Sequence, residues 1–205
     1  PTPKVMPNAI NILVFALVMS ALQYQGETSK KSWKKKVYDL RKFINDNQKL
    51  WTYESSDYGK WRCKLDNRWN ITNHTTFINR SYYVNGKVSY YGVDGCFGSS
   101  MEVEPSKRVH NLMSLYDPYG NLYGVEKVRY INDNNTCAVI QVRMYKQHNA
   151  TWVEVRIPDA LLGESIRDCF KHFTKTAKVP EGRIVSRKDC LQYYPPFRNY
   201  SFKEE

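Results

Sequence analysis

Residues 121–157 read NLYGVEKVRYINDNNTCAVIQVRMYKQHNATWVEVRI, and in three stretches of this segment apolar side chains recur at every second position. In 137–147, Ala138, Ile140, Val142 and Met144 make one unbroken apolar row. In 121–130, Lys127 and Arg129 mark a wet face, so Leu122, Glu126, Val128 and Tyr130 are predicted to point inward. In 151–157, Val153, Val155 and Ile157 alternate with Trp152, Glu154 and Arg156. Period two is the signature of half-buried strands. The same alternation occurs near 48–55, 60–70, 74–84, 87–94 and 109–116. In 60–70, Trp61, Cys63, Leu65, Asn67 and Trp69 share one face, and Arg62, Lys64, Asp66 and Arg68 the other. Turn signals separate the segments: Asn85-Gly86, Tyr119-Gly120-Asn121 and His148-Asn149. Eight short antiparallel strands joined mostly by tight turns predict an all-β sandwich or an up-and-down barrel.

Helical spacing flanks the strands on both sides. Trp33, Val37, Leu40 and Ile44 predict a short amphipathic helix with Ser32 as its cap. Beyond Ile157, Pro158 and Asp159 are placed to start a second helix whose stripe is Leu162, Ile166, Cys169, Phe170 and Phe173. A helix packed outside would cover Val153, Val155 and Ile157. That turns Trp152, Glu154 and Arg156 into the interior, which in an eight-stranded barrel is just large enough for one small ligand.

Five cysteines and six Asn-x-Ser/Thr triplets (Asn70, Asn73, Asn79, Asn134, Asn149 and Asn199) bear on compartment. Disulfides persist outside the reducing cytosol, and glycan acceptors are read in the secretory pathway. The apolar run Ile10–Leu22 has the length of a signal-peptide core and is too short to span a bilayer. Residues 1–26 are therefore expected to be upstream sequence and signal peptide, 27–190 the domain, and 191–205 an irregular tail. The product is expected to be secreted, with no membrane span. Net charge is +11, and Lys4 alone among charged residues precedes Glu27. Such an excess outside the cell favours anionic surfaces or acidic partners over nucleic acid. His74, His110, His148 and His172 lack metal-ligand spacing, and no Gly-x-Ser-x-Gly occurs. Neither an enzyme nor a cofactor is expected.

The chain resembles the tick salivary lipocalins of the histamine-binding-protein-like group. The resemblance runs through the Ser-Trp-Lys segment at Trp33, Leu50-Trp51-Thr52-Tyr53, Tyr58-Gly-Lys-Trp-Arg-Cys63, Cys137, Cys169 and Cys190. It implies an eight-stranded antiparallel lipocalin barrel, with a short N-terminal helix and a C-terminal helix packed on the wall. It also implies the pairings Cys63–Cys190 and Cys137–Cys169, among the fifteen two-bridge arrangements that five cysteines allow. Cys96 would then be left over, read as a buried free thiol, with an intermolecular bridge as the alternative.

Amine-binding members of the group resemble one another in a Cys-Asp-aliphatic element followed by Glu-Leu-aromatic and a Cys. Here Ala138 and Val139 follow Cys137, and Glu154 is followed by Val155 and Arg156. One acid is missing and a cation stands beside the other, which weakens amine binding and favours a mostly apolar guest. The resemblance implies a secreted carrier that sequesters a small host mediator, either a lipid such as a sterol or eicosanoid, or a biogenic amine. The alternative partner is a host protein or immune-cell surface bound through exterior loops. The residues expected to line the ligand are Tyr82, Glu126, Tyr130, Ile140, Met144, Trp152, Glu154 and Arg156, with Arg80 available to a ligand hydroxyl or carboxylate.

Overall fold

In a computed structural model describing residues 36–101, 109–164 and 166–194, eight strands form where alternation predicts them. They are β1 Lys49–Ser55, β2 Arg62–Ile71, β3 Thr75–Val84, β4 Lys87–Gly98, β5 Leu112–Tyr116, β6 Leu122–Ile131, β7 Ala138–Met144 and β8 Ala150–Pro158. All belong to the unit Val37–Glu205. The expected leader, Ser32, Trp33 and Asn199 lie outside the described residues. β4 runs four residues further than alternation suggests. Gly95 lets it lie against β5, because a Cβ there would meet Met113 Sδ at 2.5 Å. At the β3–β4 turn Asn85 and Gly86 both take positive φ, 51° and 79°, which matches the twist of the hairpin.

Each strand pairs antiparallel with the next, and β8 pairs with β1. β1 also pairs with β2, at Lys49 with Asn67, Leu50 with Asp66 and Trp51 with Leu65. That three-residue seam closes the eight-stranded barrel. Beyond it, β1 pairs at Glu54–Ser55 with a two-residue strand β9, Arg183–Ile184, which alternation does not reveal.

The apolar residues form two layers. Ile78, Val93, Met113, Leu115, Val128, Ile140 and Val142 pack inside with Leu40, Phe43 and Ile44 of helix α1, Leu40–Asp46. The helix starts at Leu40, later than predicted. Asp39 caps it, its Oδ1 accepting from Lys42 N at 2.9 Å, and Val37 precedes it in non-helical backbone. The outer layer is Trp51, Leu65, Val139, Val153, Val155 and Ile157 beneath Cys169 and Phe173 of helix α2, Arg167–Ala177. The valines of β8 face outward under a helix, as predicted.

The helical stretch after Ile157 is broken. One turn of 3₁₀ helix, Asp159–Leu161, ends before Gly163 at φ 98°, and α2 starts four residues later. Leu162, Cys169 and Phe173 are buried as predicted, but Ile166 is only half-buried and Phe170 is 42% exposed. Phe170 neighbours Cys169 in the helix and turns off the face that Cys169 and Phe173 share. Cys63–Cys190 and Cys137–Cys169 are bonded. Cys96 is free but exposed on β4, not buried. A 3₁₀ helix, Lys188–Tyr193, extends into the first residues of the expected irregular tail, and residues 195–205 lie outside the described residues. Tyr193 stacks on Tyr83 at 4.2 Å, and Tyr194 donates to Cys63 O at 2.7 Å.

Candidate ligand site in the barrel

Six charged side chains meet inside the barrel: Lys64 and Asp66 of β2, Arg80 of β3, Glu126 of β6, and Glu154 and Arg156 of β8. Strand register brings them together. Asp66 is the cross-strand partner of Arg80, and Arg156 lies across from Ala138. Arg80 grips Asp66 through Nε and Nη2 at 2.6 and 2.7 Å and reaches Glu126 Oε1 at 2.8 Å. Arg156 donates to both oxygens of Glu126 at 2.7 Å and to Glu154 Oε2 at 2.8 and 3.0 Å. Lys64 Nζ bonds both oxygens of Glu154, at 2.7 and 2.9 Å. Trp152 Nε1 and Thr52 Oγ1 also donate to Glu154, at 2.8 and 3.3 Å.

Three cations face three anions, so the network is neutral. Bidentate guanidinium pairs and further hydrogen bonds offset the desolvation of so many charges. Burial alone would raise the carboxyl of Glu126, but Arg156 and Arg80 outweigh it and hold the pKa at about 2. Burial likewise opposes ionisation of Glu154, and Lys64 and Arg156 keep it well below the usual carboxylate range. Burial pushes the Lys64 ammonium down, with Glu154 pulling the other way. Glu126 and Glu154 are ionised, and all three acids are bonded to cations.

Helix α1 closes one end of the barrel, packing near Leu50 and Ile78. At the opposite end a cavity of about 600 Å³ opens. Trp61, Tyr82, Tyr91, Val142, Met144 and Trp152 form its walls, and Lys64 and Arg80 reach its inner surface from the network. The volume is that of a site for one drug-sized molecule, with mostly aromatic and aliphatic walls and with Asp57, Lys60, Lys64, Arg80 and Gln147 as its charged and amide groups. Close by, the Tyr123 hydroxyl is buried with no hydrogen-bond partner. Burial pushes its pKa up, with the Arg80 charge opposing.

The expected site residues divide into four groups. Tyr82, Met144 and Trp152 line the cavity. Ile140 is core below it. Glu126, Glu154 and Arg156 point inward as predicted, but they belong to the network and are not among the cavity-lining residues. Tyr130 is a correction. A β-bulge between Val128 and Tyr130 reverses the phase of β6, so Tyr130 lies in the outer layer. There it stacks on His172 of α2 at 3.6 Å and meets Tyr38 edge-on. A second irregularity, near Leu122, leaves that residue exposed. Alternation assigns Lys64 and Asp66 to one face without saying that it is the inner one. The signal lay in Cys63: a pairing with Cys190 puts its side chain on the outer wall and its neighbours inside. Of the glycan acceptors, Asn70, Asn73, Asn134 and Asn149 are exposed. Asn79 lies between inward Ile78 and Arg80 and so faces out.

No known family's sequence pattern matches the chain, and neither does any characterised protein's sequence. Solved structures do resemble it. The serotonin complex of AM182 aligns at TM-score 0.56 with 14% identity, over 76% of this chain and 94% of that one. The siderocalin Ex-FABP, described as having dual ligand specificities, aligns at 0.50 with 11% identity, over 69% and 93%. The cockroach major allergen Per a 4 aligns at 0.50 with 9% identity, over 76% and 92%. At these identities the likeness concerns the fold alone. A barrel of eight antiparallel strands, helix-closed at one end and shared with such proteins at so little identity, is the lipocalin fold.

Proposed function

We propose that the protein is a secreted, non-enzymatic carrier that sequesters a small host mediator in the open end of its barrel and thereby suppresses inflammatory or immune responses. The observation that carries this reading is the cavity of about 600 Å³ with aromatic and aliphatic walls. Two disulfides support an oxidising, extracellular setting.

The neutral network beneath the cavity supports one class of guest over the other. A buried ammonium needs an unpaired carboxylate, and Asp66, Glu126 and Glu154 are each held by Arg or Lys. The charged residues that line the cavity are Lys60, Lys64, Arg80 and Asp57, and the Asp57 carboxylate is held by Arg183, so the excess charge there is positive. The guest is therefore a mostly apolar molecule with a neutral or anionic polar end, such as a sterol or a fatty-acid mediator. The polar end lies toward Lys64, Arg80 and the unpartnered Tyr123 hydroxyl.

Native mass spectrometry of the secreted, deglycosylated protein weighs any retained guest, and calorimetry ranks cholesterol and arachidonate against histamine and serotonin. The lipids are expected to bind more tightly. Micromolar histamine binding that is lost in Glu154→Gln, measured well below that variant's melting temperature, refutes the ranking and returns the protein to the amine binders. A second reading, binding to a host protein or immune-cell surface through exterior loops, is favoured by the +11 charge. It predicts salt-sensitive cell binding by protein whose cavity is empty.

A further inference from the structure

The outer face of β2–β3–β4 carries large apolar side chains that the barrel does not use. Trp69 is 66% exposed and Phe77 38%, and their rings meet edge-on at 6.4 Å. Exposed aromatics gathered on a sheet face mark a surface that something covers. Two features of the register say what. Asn79, an acceptor triplet with Ser81, lies two residues beyond Phe77 on the same face of β3 and directly across from Gly92 of β4. A Cβ on Gly92 would meet Phe77 Cε2 and Cζ at 3.1 Å. The Phe77 ring therefore leans along the sheet over Gly92, beside the point where a sugar on Asn79 would leave the strand. A side chain at position 92 would press the ring aside by a few tenths of an ångström.

We infer that Asn79 carries an N-linked glycan whose first N-acetylglucosamine packs on the Phe77 ring. Trp69 flanks that contact, so the chain's own sugar covers the aromatic patch. One face of a pyranose ring presents C–H groups, which suit the electron-rich face of an aromatic ring, while its hydroxyls remain in water. The glycan would then be part of the packing of the outer sheet as well as a solubilising group. This inference rests on the secreted reading above, because acceptor triplets are read in that pathway. It does not depend on which guest the cavity holds.

The test uses full-length protein secreted from a eukaryotic cell line. Glycopeptide mass spectrometry reads occupancy at each acceptor, and thermal unfolding is compared for three forms: intact, trimmed to a single N-acetylglucosamine, and fully deglycosylated. Asn79 is expected to be occupied. Trimming to one sugar should leave the melting temperature unchanged, whereas full removal, or Asn79→Gln, should lower it by about 2–4 °C. In Phe77→Ala the step from one sugar to none should shift it by less than about 1 °C. Occupancy at Asn73 with none at Asn79 overturns the inference and leaves secretion standing. Absence of sugar at every acceptor overturns both. An equal shift in Phe77→Ala and in the parent removes the packing role. A glycosylated protein that dimerises until Trp69 and Phe77 are replaced shows that a second copy covers the face instead.

Discussion

Replacing Glu154 by Gln removes one charge from a site where charges cancel. The side chain is fully buried and accepts from Lys64, Arg156, Trp152 and Thr52. The amide keeps the shape, so little packing is lost. The interior is left with Lys64, Arg80 and Arg156 against Asp66 and Glu126, and Lys64 loses the carboxylate it bonds twice. Breaking a buried pair from one side costs about 3–5 kcal/mol, which is a large fraction of the roughly 5–15 kcal/mol that holds a domain folded. At about 2–4 °C per kcal/mol for a domain of this size, the melting temperature should fall by about 6–20 °C. Adding Lys64→Met restores neutrality. The double variant should then lose less than the sum of the singles, by about 0.5–3 kcal/mol. Urea unfolding at constant slope measures each. A pH series adds a signature. In Glu154→Gln the Lys64 ammonium, already pushed down by burial, loses its main opposing charge and falls further. The unfolded chain then binds more protons between that lowered value and the ordinary lysine range. The variant should therefore regain stability as pH rises toward 10. A loss below about 1 kcal/mol, or strict additivity in the double variant, refutes the account of the network as a mutually compensated unit.

Glu126 has a carboxyl held at about 2, so its contribution is complete above the ordinary carboxylate range and is lost as pH falls from there toward 2; acid titration followed by near-UV circular dichroism should show that loss, and it should flatten in Arg156→Met. Tyr123→Phe removes a buried hydroxyl that has no partner, so it should stabilise the empty protein by about 1 kcal/mol, read as a higher urea midpoint at unchanged slope. Tyr82→Ala opens the cavity wall and should weaken guest binding about tenfold, whereas Tyr130→Ala, on the outer layer, should leave calorimetric affinity within about twofold. Joint replacement of Cys137 and Cys169 by Ala removes a cross-link across 32 residues and should cost about 2–4 kcal/mol in thermal unfolding.

The strands were legible because one face of each is dry, and period two shows wherever a barrel wall separates interior from surroundings. Legibility failed where the wall is not simple. β2 buries both faces at Lys64 and Leu65, one in the charged interior and the other under the C-terminal segment, so its alternation marks two faces but not their direction. Tyr130 and Leu122 were misplaced because bulges insert a residue without any compositional mark. The inward Glu154 and Arg156 were legible through the covered valines of β8. Their bonds to Lys64 and Asp66 were not, because pairs 90 residues apart depend on barrel closure. Gly163 signalled a break in the C-terminal helix that the apolar stripe across it concealed.

The order of events during folding follows from where the six interior charges lie along the chain. Asp66 and Arg80 are 14 residues apart and meet in a hairpin, while Arg80 with Glu126 spans 46 residues and Lys64 with Glu154 spans 90. Local pairing can satisfy Asp66–Arg80 and Glu154–Arg156 early, whereas the bond of Lys64 to Glu154 waits for strands from both ends of the sequence. Until the β1–β2 seam forms, a half-rolled sheet would carry unmatched ions against apolar neighbours, so these ions keep their hydration and hold the sheet open. Water should therefore leave the interior late, when the last strands arrive. Such a chain should fold slowly, as its sequence-distant contacts require, and with few stable halfway forms.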